Sequence, residues 1–398
     1  MRIALFLAFA GLFASAASFA AAALALARHR RAARPEARPG FEPPVSIVKA
    51  LSGLDDDLAR NLESFYRLDY PDYEILFSFA RETDPAFAIA RRVADAHPGV
   101  PTSFVVDPRE PGLNAKVNRL AAGVRRARHR LLLLADGNVR VRPDFLSRAV
   151  APFGESRVGL VSNLFSAEGA ATAASRIESL HLNGFLAAGT ALLARTLRRP
   201  CVVGKSILMS REALESIGGF ARLRDYLAED FLLGELVRAA GYEVRLSADE
   251  VVTAEISRSL SAVWSRHRRW AILRRRLGGP SYAAESFASP ALWFCGVVGF
   301  SGGSPAAAAA GALIWGARLA VEGALAADAG RRLRAGDYGL AVLRDLGVAA
   351  LFWAGLFGRR TRWRGRSLDV GPGTLLRPAD RVLALTPVGE PARAAGYA

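Results

Sequence analysis

The sequence predicts an α/β domain with a mainly parallel sheet, flanked at both ends by apolar helices that lie in or on a membrane. From Val45 onward, short apolar strand patterns alternate with helical ones, which is typical of a sheet covered on both faces. An uncharged apolar run fills residues 3–27, and more apolar stretches follow residue 286. About 20 such residues are enough to cross a bilayer.

The composition fits a soluble domain joined to a few membrane segments. Apolar residues make up 51% of the 398 residues, and the mean hydropathy is +0.17. The net charge of +16 favours an acidic partner such as phosphate or anionic lipid. Because no zinc, RNP or helix-turn-helix pattern accompanies this charge, we expect no nucleic-acid partner. Cys201 and Cys295 stand far apart and predict neither a metal knuckle nor a disulfide framework.

The first 28 residues predict a retained transmembrane anchor. The alternative, a cleaved signal peptide, has its positive charge before a shorter apolar core. Here only Arg2 precedes the apolar run, whereas five arginines follow it within residues 28–38. The positive-inside rule therefore places the N-terminus outside and the rest of the chain from residue 28 in the cytoplasm. Residues 29–44 are basic and rich in proline, and they predict a linker.

Residues 45–277 predict the cytoplasmic α/β domain. Four strand patterns, VSIVKAL, YEILFSFA, TSFVVD and HRLLLLAD, are separated by segments with helical spacing. Ligands of such domains bind at the carboxyl ends of the parallel strands. Between about 165 and 200 the pattern is helical, without strand character.

Residues 286–358 predict C-terminal membrane helices. The stretches 287–305 and 305–326 are expected to form a hairpin of two spans, and a third, 338–357, carries Arg344 and Asp345 at its centre. The strongly basic segment 358–366 opens a tail, 359–398, that the positive-inside rule places in the cytoplasm. Three spans after a cytoplasmic domain would end outside. We therefore expect the third stretch to be re-entrant or interfacial, in a multi-pass protein of the inner membrane.

Two aspartates stand after predicted strands, where function concentrates in this fold class. Asp84, in RETDPA, is either a helix N-cap or a binding residue. Asp136 ends the most apolar strand, in LLLLADGN. It is either part of an Asp-Gly turn or a ligand for a metal ion and a diphosphate, since carboxylate oxygens suit magnesium and manganese.

Two further clusters carry charge later in the domain. Glu229 and Asp230 begin a helical pattern, where they are either simple caps or include a general base for an alcohol. The RHRRW segment, 266–270, offers positive charge for a leaving diphosphate and a flat tryptophan. Its alternative interpretation is a membrane-flanking basic stretch with an interfacial tryptophan.

In order and spacing, these residues resemble the D, D, D, (Q/R)-x-x-R-W signature of inverting membrane glycosyltransferases. The wider chain resembles the ceramide glucosyltransferase family, glycosyltransferase family 21, over most of residues 45–275. Residues 165–198 match least. The resemblance is carried by segments that include VSIVKALSG, ETDPAFAIARR, GLNAKVNRL, ADGNVRVRPDFL, GKSILMSREALESIGGF, LAEDFLLGELVRAAG, SRHRRW and, in the tail, TRWRGRSL.

The resemblance implies a GT-A fold with a UDP-sugar donor and a lipid acceptor. Asp84 would belong to the uridine pocket, and Asp136 to a diphosphate site with Mg²⁺ or Mn²⁺. The remaining donor-site residues that it implies are Lys49, Asn138, Arg266 and Arg269.

On the acceptor side, the resemblance implies that Asp230 is the catalytic base. Glu229 would lie beside the acceptor, and Arg269 and Trp270 would close the site. One position departs from the common pattern. Asn138 stands where a second aspartate would complete a D-x-D, so a metal ion would have a single protein carboxylate.

The expected activity is transfer of one sugar, glucose first, from a UDP-sugar to ceramide. A sister group in hopanoid synthesis, which transfers N-acetylglucosamine to bacteriohopane polyol, shares every motif. Processive polysaccharide synthases share the aspartates but need a pore of more spans than this chain offers. A catalytically dead membrane scaffold is the alternative from another class, and the retention of all three aspartates argues against it.

Overall fold

A computed structural model of the full chain describes residues 1–32, 38, 40–196, 201–363 and 366–379. Parts of the predicted linker (33–37 and 39) and of the predicted tail (364–365 and 380–398) lie outside the described residues. The helices are α1 (Arg2–Arg31), α2 (Leu58–Tyr66), α3 (Pro85–Asp95), α4 (Ala115–Arg126), α5 (Phe145–Val150), α6 (Ala173–Leu180), α7 (Ala187–Thr196), α8 (Arg211–Ser216), α9 (Glu229–Ala239), α10 (Leu260–Gly278), α11 (Pro290–Phe300), α12 (Pro305–Asp328) and α13 (Ala335–Phe357).

The strands form one large sheet and one small sheet. Those of the large sheet are β1 (Val45–Ala50), β2 (Tyr73–Phe79), β3 (Thr102–Val106), β4 (Leu131–Ala135), β5 (Val139–Arg140), β6 (Val158–Glu168), β7 (Ser206–Ser210) and β8 (Glu243–Ala254). Those of the small sheet are β9 (Arg360–Trp363), β10 (Arg366–Val370) and β11 (Leu376–Pro378).

The large sheet confirms the predicted α/β class. Its order is β3-β2-β1-β4-β7-β6-β8-β5, and all strands except β5 and β7 run in one direction. The four strands predicted from apolar runs are β1 to β4, the parallel half. Every side chain of β1, β2 and β4 is buried, which explains their mostly apolar patterns. The helical segment predicted at 165–200 begins later, because β6 runs on to Glu168.

Three helices, α1, α12 and α13, are long and apolar enough to cross a membrane. The predicted span 287–305 is shorter in the structure, because α11 has only 11 residues between Ser289 and the turn at Gly302 and Gly303. It follows a 3₁₀ segment, Gly279–Ala288, that continues α10, and α11 is bent by 69° from the combined stretch Leu260–Ala288. Among the described residues, this stretch and α11 taken together are the candidate for a fourth crossing.

The two charges at the centre of α13 are paired inside the protein. Arg344 donates to Glu322 of α12 at 2.8 Å and to Asp345 at 2.8 Å. Asp345 also accepts from Arg318 at 3.0 Å and from Trp315 at 2.9 Å. Two arginines thus balance two carboxylates, which removes most of the cost of placing charges among membrane helices.

Both ends of α13 contact the α/β domain. Near its start, Asp337 forms an ion pair with Arg176 of α6. Near its end, Gly355 packs so closely on α10 that an added Cβ would lie 2.9 Å from Ala271 Cβ. The helix therefore packs on α6 and α10.

Candidate active site

All predicted site residues except Lys49 line a cleft with two chambers at one edge of the large sheet. The larger chamber, about 480 Å³, lies at the ends of β1, β4 and β7. The smaller chamber, about 320 Å³, lies beside Asp84, and Ser52 and Trp363 line both. The charged residues of the larger chamber are Asp55, Lys116, Asp136, Lys205, Glu229, Asp230, Arg258, Arg266 and Arg269.

Asp136 follows β4 and is held by three ammonium groups. Lys116 Nζ lies 2.9 Å from Asp136 Oδ1, and Lys205 Nζ lies 3.4 Å from Asp136 Oδ2. From within the sheet, Lys49 Nζ donates to the backbone oxygen of Asp136 at 2.9 Å. Burial alone would raise the pKa of Asp136, but Lys116 and Lys205 outweigh it and lower that pKa to about 2.

These three residues are the only lysines in the chain, against 53 lysines and arginines together. The chain uses arginine elsewhere, even in its most basic segments. Lysine presents a compact point charge on a flexible stem, whereas arginine presents a planar fork. The scarcity of lysine is therefore a signal in the sequence that singles out Lys116 and Lys205.

Lys49 lies behind Asp136 rather than in the cleft. Its side chain is fully buried in β1, and its ammonium group lies 3.6 Å from the centre of the Phe65 ring. Burial lowers the pKa of Lys49 to about 7, although Asp136 and Asp55 act against this. Within the part of the chain that the structure describes, Lys49 lines neither chamber, so its geometry is that of a support for Asp136.

Asp230 stands in the first turn of α9 and faces the larger chamber. Its Oδ2 accepts from the backbone N–H of Gly204 at 2.7 Å, and its Oδ1 accepts from that of Phe231 at 2.8 Å. These bonds fix the carboxylate at the positive end of the helix, where an anion is favoured. Gly204 precedes Lys205, so the same loop positions the carboxylate and one of the lysines.

Glu229 is more deeply packed than Asp230. Its carboxylate lies 3.3 Å from Lys116 Nζ and accepts from Asn114 at 3.1 Å. Burial and the neighbouring Asp230 raise the pKa of Glu229, against the opposing charge of Lys116. The structure places Glu229 beside Lys116 in the larger chamber, and the acceptor-side role that the resemblance implies stays a prediction.

Arg266, Arg269 and Trp270 lie on one face of α10, because residues three and four apart on a helix are neighbours. All three line the larger chamber. Arg266 bridges two buried carboxylates, at 2.8 Å from Glu178 and 2.9 Å from Glu255. This helix therefore presents its R-x-x-R-W face to Asp136 from across the cleft.

Asn138 continues the polar floor of the larger chamber. Its amide oxygen accepts from Lys205 at 2.9 Å, and its amide nitrogen donates to Glu255 at 3.3 Å. Asn138 and Asp136 thus share Lys205 as a partner. The missing second aspartate of the D-x-D is replaced here by a neutral oxygen that points to the same ammonium group.

Asp84 is a helix cap that also lines a chamber of the cleft, and its role in binding stays a prediction. It caps α3 by accepting from the backbone N–H of Ala86 at 2.9 Å, and it also accepts from that of Gly53 at 2.9 Å. It lines the smaller chamber and not the larger one. Gly53 follows β1 with φ +71°, a conformation that glycine adopts without strain. The cap thus ties the β1 loop to the wall of the smaller chamber.

The comparisons with known proteins agree with this geometry. A ceramide glucosyltransferase of Caenorhabditis elegans is 28% identical over 233 residues, which are 58% of this chain and 50% of that protein. A second one from the same organism is 29% identical over equal shares. The chain thus spans about half the length of the curated relatives it matches.

The fold has a solved counterpart. A mannosyltransferase from Pyrobaculum calidifontis, solved in complex with GDP-Man and Mn²⁺, superposes with a TM-score of 0.51 at 20% identity. The superposition covers 87% of this chain and 99% of that one. This similarity confirms the GT-A fold that the resemblance implied.

The family itself is established over nearly the whole chain. The sequence model of glycosyl transferase family 21 matches residues 10–376. This range runs from the first apolar helix through both chambers to the small C-terminal sheet. The chain belongs to glycosyltransferase family 21.

Proposed function

We propose that the protein is an inverting glycosyltransferase that moves one sugar, glucose, from a UDP-sugar to the hydroxyl of ceramide. One observation carries the proposal. A single cleft joins a lysine-bound aspartate, a helix-capped carboxylate and the R-x-x-R-W face of α10, and α10 packs directly on the apolar helix α13. The ceramide glucosyltransferases among its relatives support this acceptor and this sugar.

The charged residues of the cleft have two roles in the reaction: the cations bind the donor, and Asp230 activates the acceptor. The nucleoside occupies the chamber beside Asp84, and the diphosphate lies against Lys116, Lys205 and Arg269. Asp230 accepts the proton of the acceptor hydroxyl as its oxygen forms a bond to the anomeric carbon. The bond from that carbon to the diphosphate oxygen breaks on the opposite face, so the configuration inverts. UDP leaves with its charge balanced by the lysines and Arg269.

Asp136 and Asn138 would hold a Mg²⁺ or Mn²⁺ ion through their side-chain oxygens. Within the described residues, no group of three or more His, Cys, Asp or Glu side chains is arranged to bind a metal by itself. Magnesium commonly binds one or two carboxylates together with substrate phosphates and water, so this small donor set fits it. When bound, the ion would neutralise charge on the leaving diphosphate.

The function is tested with the purified protein in detergent, supplied with radiolabelled UDP-glucose, UDP-galactose or UDP-N-acetylglucosamine. We expect label from UDP-glucose on added ceramide and none on a ceramide whose primary hydroxyl is methylated. Transfer of N-acetylglucosamine to bacteriohopane polyol instead would assign the protein to the hopanoid branch. A protein that binds UDP but labels no lipid would support the scaffold interpretation.

The same proposal includes a membrane topology. α1 runs alongside α12, with Phe19 beneath Arg318 and with Arg31 paired to Asp328 at their ends. The basic ends lie inside by the positive-inside rule. We infer that α1 and α12 each run from outside to inside, that Gly279–Phe300 crosses between the catalytic domain and the outside, and that α13 lies along the inner surface.

The exposed face of α13 supports its place at the surface. Leu343, Leu346, Trp353 and Phe357 are all large, apolar and exposed. An interfacial helix buries such a face in the headgroup region while its other face packs on protein. Because both ends of α13 contact the catalytic domain, the helix would return the chain to the side from which it came.

Reporter fusions test this topology. A reporter placed after residue 379 should lie in the cytoplasm, like one placed at residue 45, and a reporter inserted at Gly302 should lie outside. Alkaline phosphatase, active only outside, and green fluorescent protein, fluorescent only inside, give opposite readouts at each site. Phosphatase activity after residue 379 would mean that α13 is a true span.

A further inference from the structure

The segment after α13 folds back as a small sheet, β9 to β11, and is anchored to the loop that precedes α9. Leu227 N–H donates to Thr374 O at 3.0 Å, and Ala228 N–H donates to Thr374 Oγ1 at 3.2 Å. Leu376 N–H donates to Asp225 O at 2.7 Å. Thr374 is fully buried and holds φ at +73°, which a threonine adopts only where its surroundings enforce it.

The small sheet also packs on the catalytic domain through apolar side chains. Leu368, Val370 and Leu376 are buried against Leu227 and Ile272. Arg268 of α10 donates to the backbone oxygen of Arg360 at 3.0 Å. The sheet is thus fixed to α10, which carries the R-x-x-R-W face, and to the loop that leads into α9, which carries Asp230.

Trp363 is the residue that this sheet contributes to the cleft. Side chains alternate along β9, so Thr361 is buried, Arg362 points to solvent and Trp363 is half-buried beside Leu113 and Leu273. The indole lines both chambers at their junction, together with Ser52. It therefore stands between the chamber of Asp84 and the chamber of Asp136.

An ion-pair chain holds the next strand at the smaller chamber. Arg366, the first residue of β10, pairs with Glu110, and Glu110 also pairs with Arg119 of α4 at 2.7 Å. All three line the smaller chamber with Asp84. The outer wall of that chamber is thus closed by a segment that follows the membrane helices.

We propose that the small sheet is part of the donor site and that the Trp363 indole packs against the nucleoside of the bound nucleotide. The proposal rests on the proposed function, which places a nucleoside beside Asp84 and its diphosphate beside Asp136. A flat apolar ring at the junction covers the base or ribose and leaves the phosphates to the lysines. An aromatic ring can stack on any base, and one such contact contributes strongly to binding affinity.

The experiment measures the affinity of the purified full-length protein for UDP and for uridine by calorimetry. Trp363→Ala should weaken both about tenfold to a hundredfold, as removal of a base-stacking aromatic does. Trp363→Phe should retain most of the affinity. Arg362→Ala, on the same strand but pointing away, is the matched control and should bind like the wild type.

Three outcomes decide the matter. Equal UDP affinity in Trp363→Ala and the wild type would overturn this inference and leave the proposed function standing. Loss of lipid transfer with unchanged UDP and uridine affinity would move Trp363 to the acceptor and likewise overturn it. A wild type that binds no UDP would overturn the proposed function and the inference with it. Thermal unfolding of each variant shows whether the fold is retained, and Trp363→Phe gives the comparison should Trp363→Ala not fold.

Discussion

Asp230→Asn is expected to lower the rate of sugar transfer at least about a hundredfold, the scale on which removal of a general base acts. UDP affinity should not change, because the diphosphate contacts of Lys116, Lys205 and Arg269 remain. Rate and affinity are measured separately, by labelled-lipid formation at saturating donor and by UDP calorimetry. Glu235→Gln, later on the same helix, is the control for a lost negative charge on α9.

The substitution has a structural cost that the measurement must separate from catalysis. Both oxygens of Asp230 accept from backbone N–H groups, of Gly204 and Phe231. An asparagine offers only one oxygen, so one of these donors loses its partner, at about 1–3 kcal/mol if it stays unsatisfied. Thermal unfolding should register this loss. Near-normal turnover in Asp230→Asn would move the base to Glu229, whose carboxylate lies in the same chamber.

Removal of divalent ions is expected to lower transfer about a hundredfold or more, and added Mn²⁺ or Mg²⁺ should restore it. One electrostatic partner of a transition-state charge contributes on that scale. Because the proposal gives the ion only two protein ligands, Asp136 and Asn138, binding of Mn²⁺ should require UDP. Titration of Mn²⁺ followed by electron paramagnetic resonance, with and without UDP, checks this independently of activity.

The opposite result of that experiment would assign the role of the metal ion to the lysines. Full transfer in excess chelator would mean that Lys116, Lys205 and Arg269 neutralise the diphosphate without a metal ion. The ammonium groups of Lys116 and Lys205 already lie 2.9 Å and 3.4 Å from the carboxylate oxygens of Asp136, the proposed metal ligand. In that case Asp136→Asn would lower the rate of transfer only slightly in excess chelator. If Asp136 is instead a metal ligand, the same substitution would abolish metal-dependent transfer.

Three of the four strands in the parallel half, β1, β2 and β4, were predictable because they are buried on both faces. Their sequences are mostly apolar, and a residue at the end of such a strand, Asp136, was a natural site candidate. The antiparallel strand β7, in contrast, is five residues long and lies within a segment of mixed pattern. Its position between β4 and β6 depends on long-range pairing, which local periodicity does not encode.

The small sheet was missed for a related reason. β9, β10 and β11 have four, five and three residues, too short for a period to emerge, and their arginines read as a solvated tail. What fixes them is tertiary: hydrogen bonds to Asp225, Leu227 and Ala228, and apolar contact with Ile272. Lys116 and Lys205 were not among the predicted site residues, because the local sequence does not show that the fold brings them to Asp136.

The confinement of lysine to this cleft has a chemical consequence. Apart from the N-terminal amine, every primary amine of the chain lies within contact distance of Asp136. An amine-selective acylating reagent therefore modifies the chain only there or at its first residue, and a bound nucleotide would shield Lys116 and Lys205 from it. A lysine-specific protease would cut the unfolded chain into four peptides, and two of the three cleavage sites, at Lys116 and Lys205, are residues that line the cleft. The extent of lysine acylation, measured by mass spectrometry, should therefore report whether a nucleotide occupies the cleft, without any engineered label.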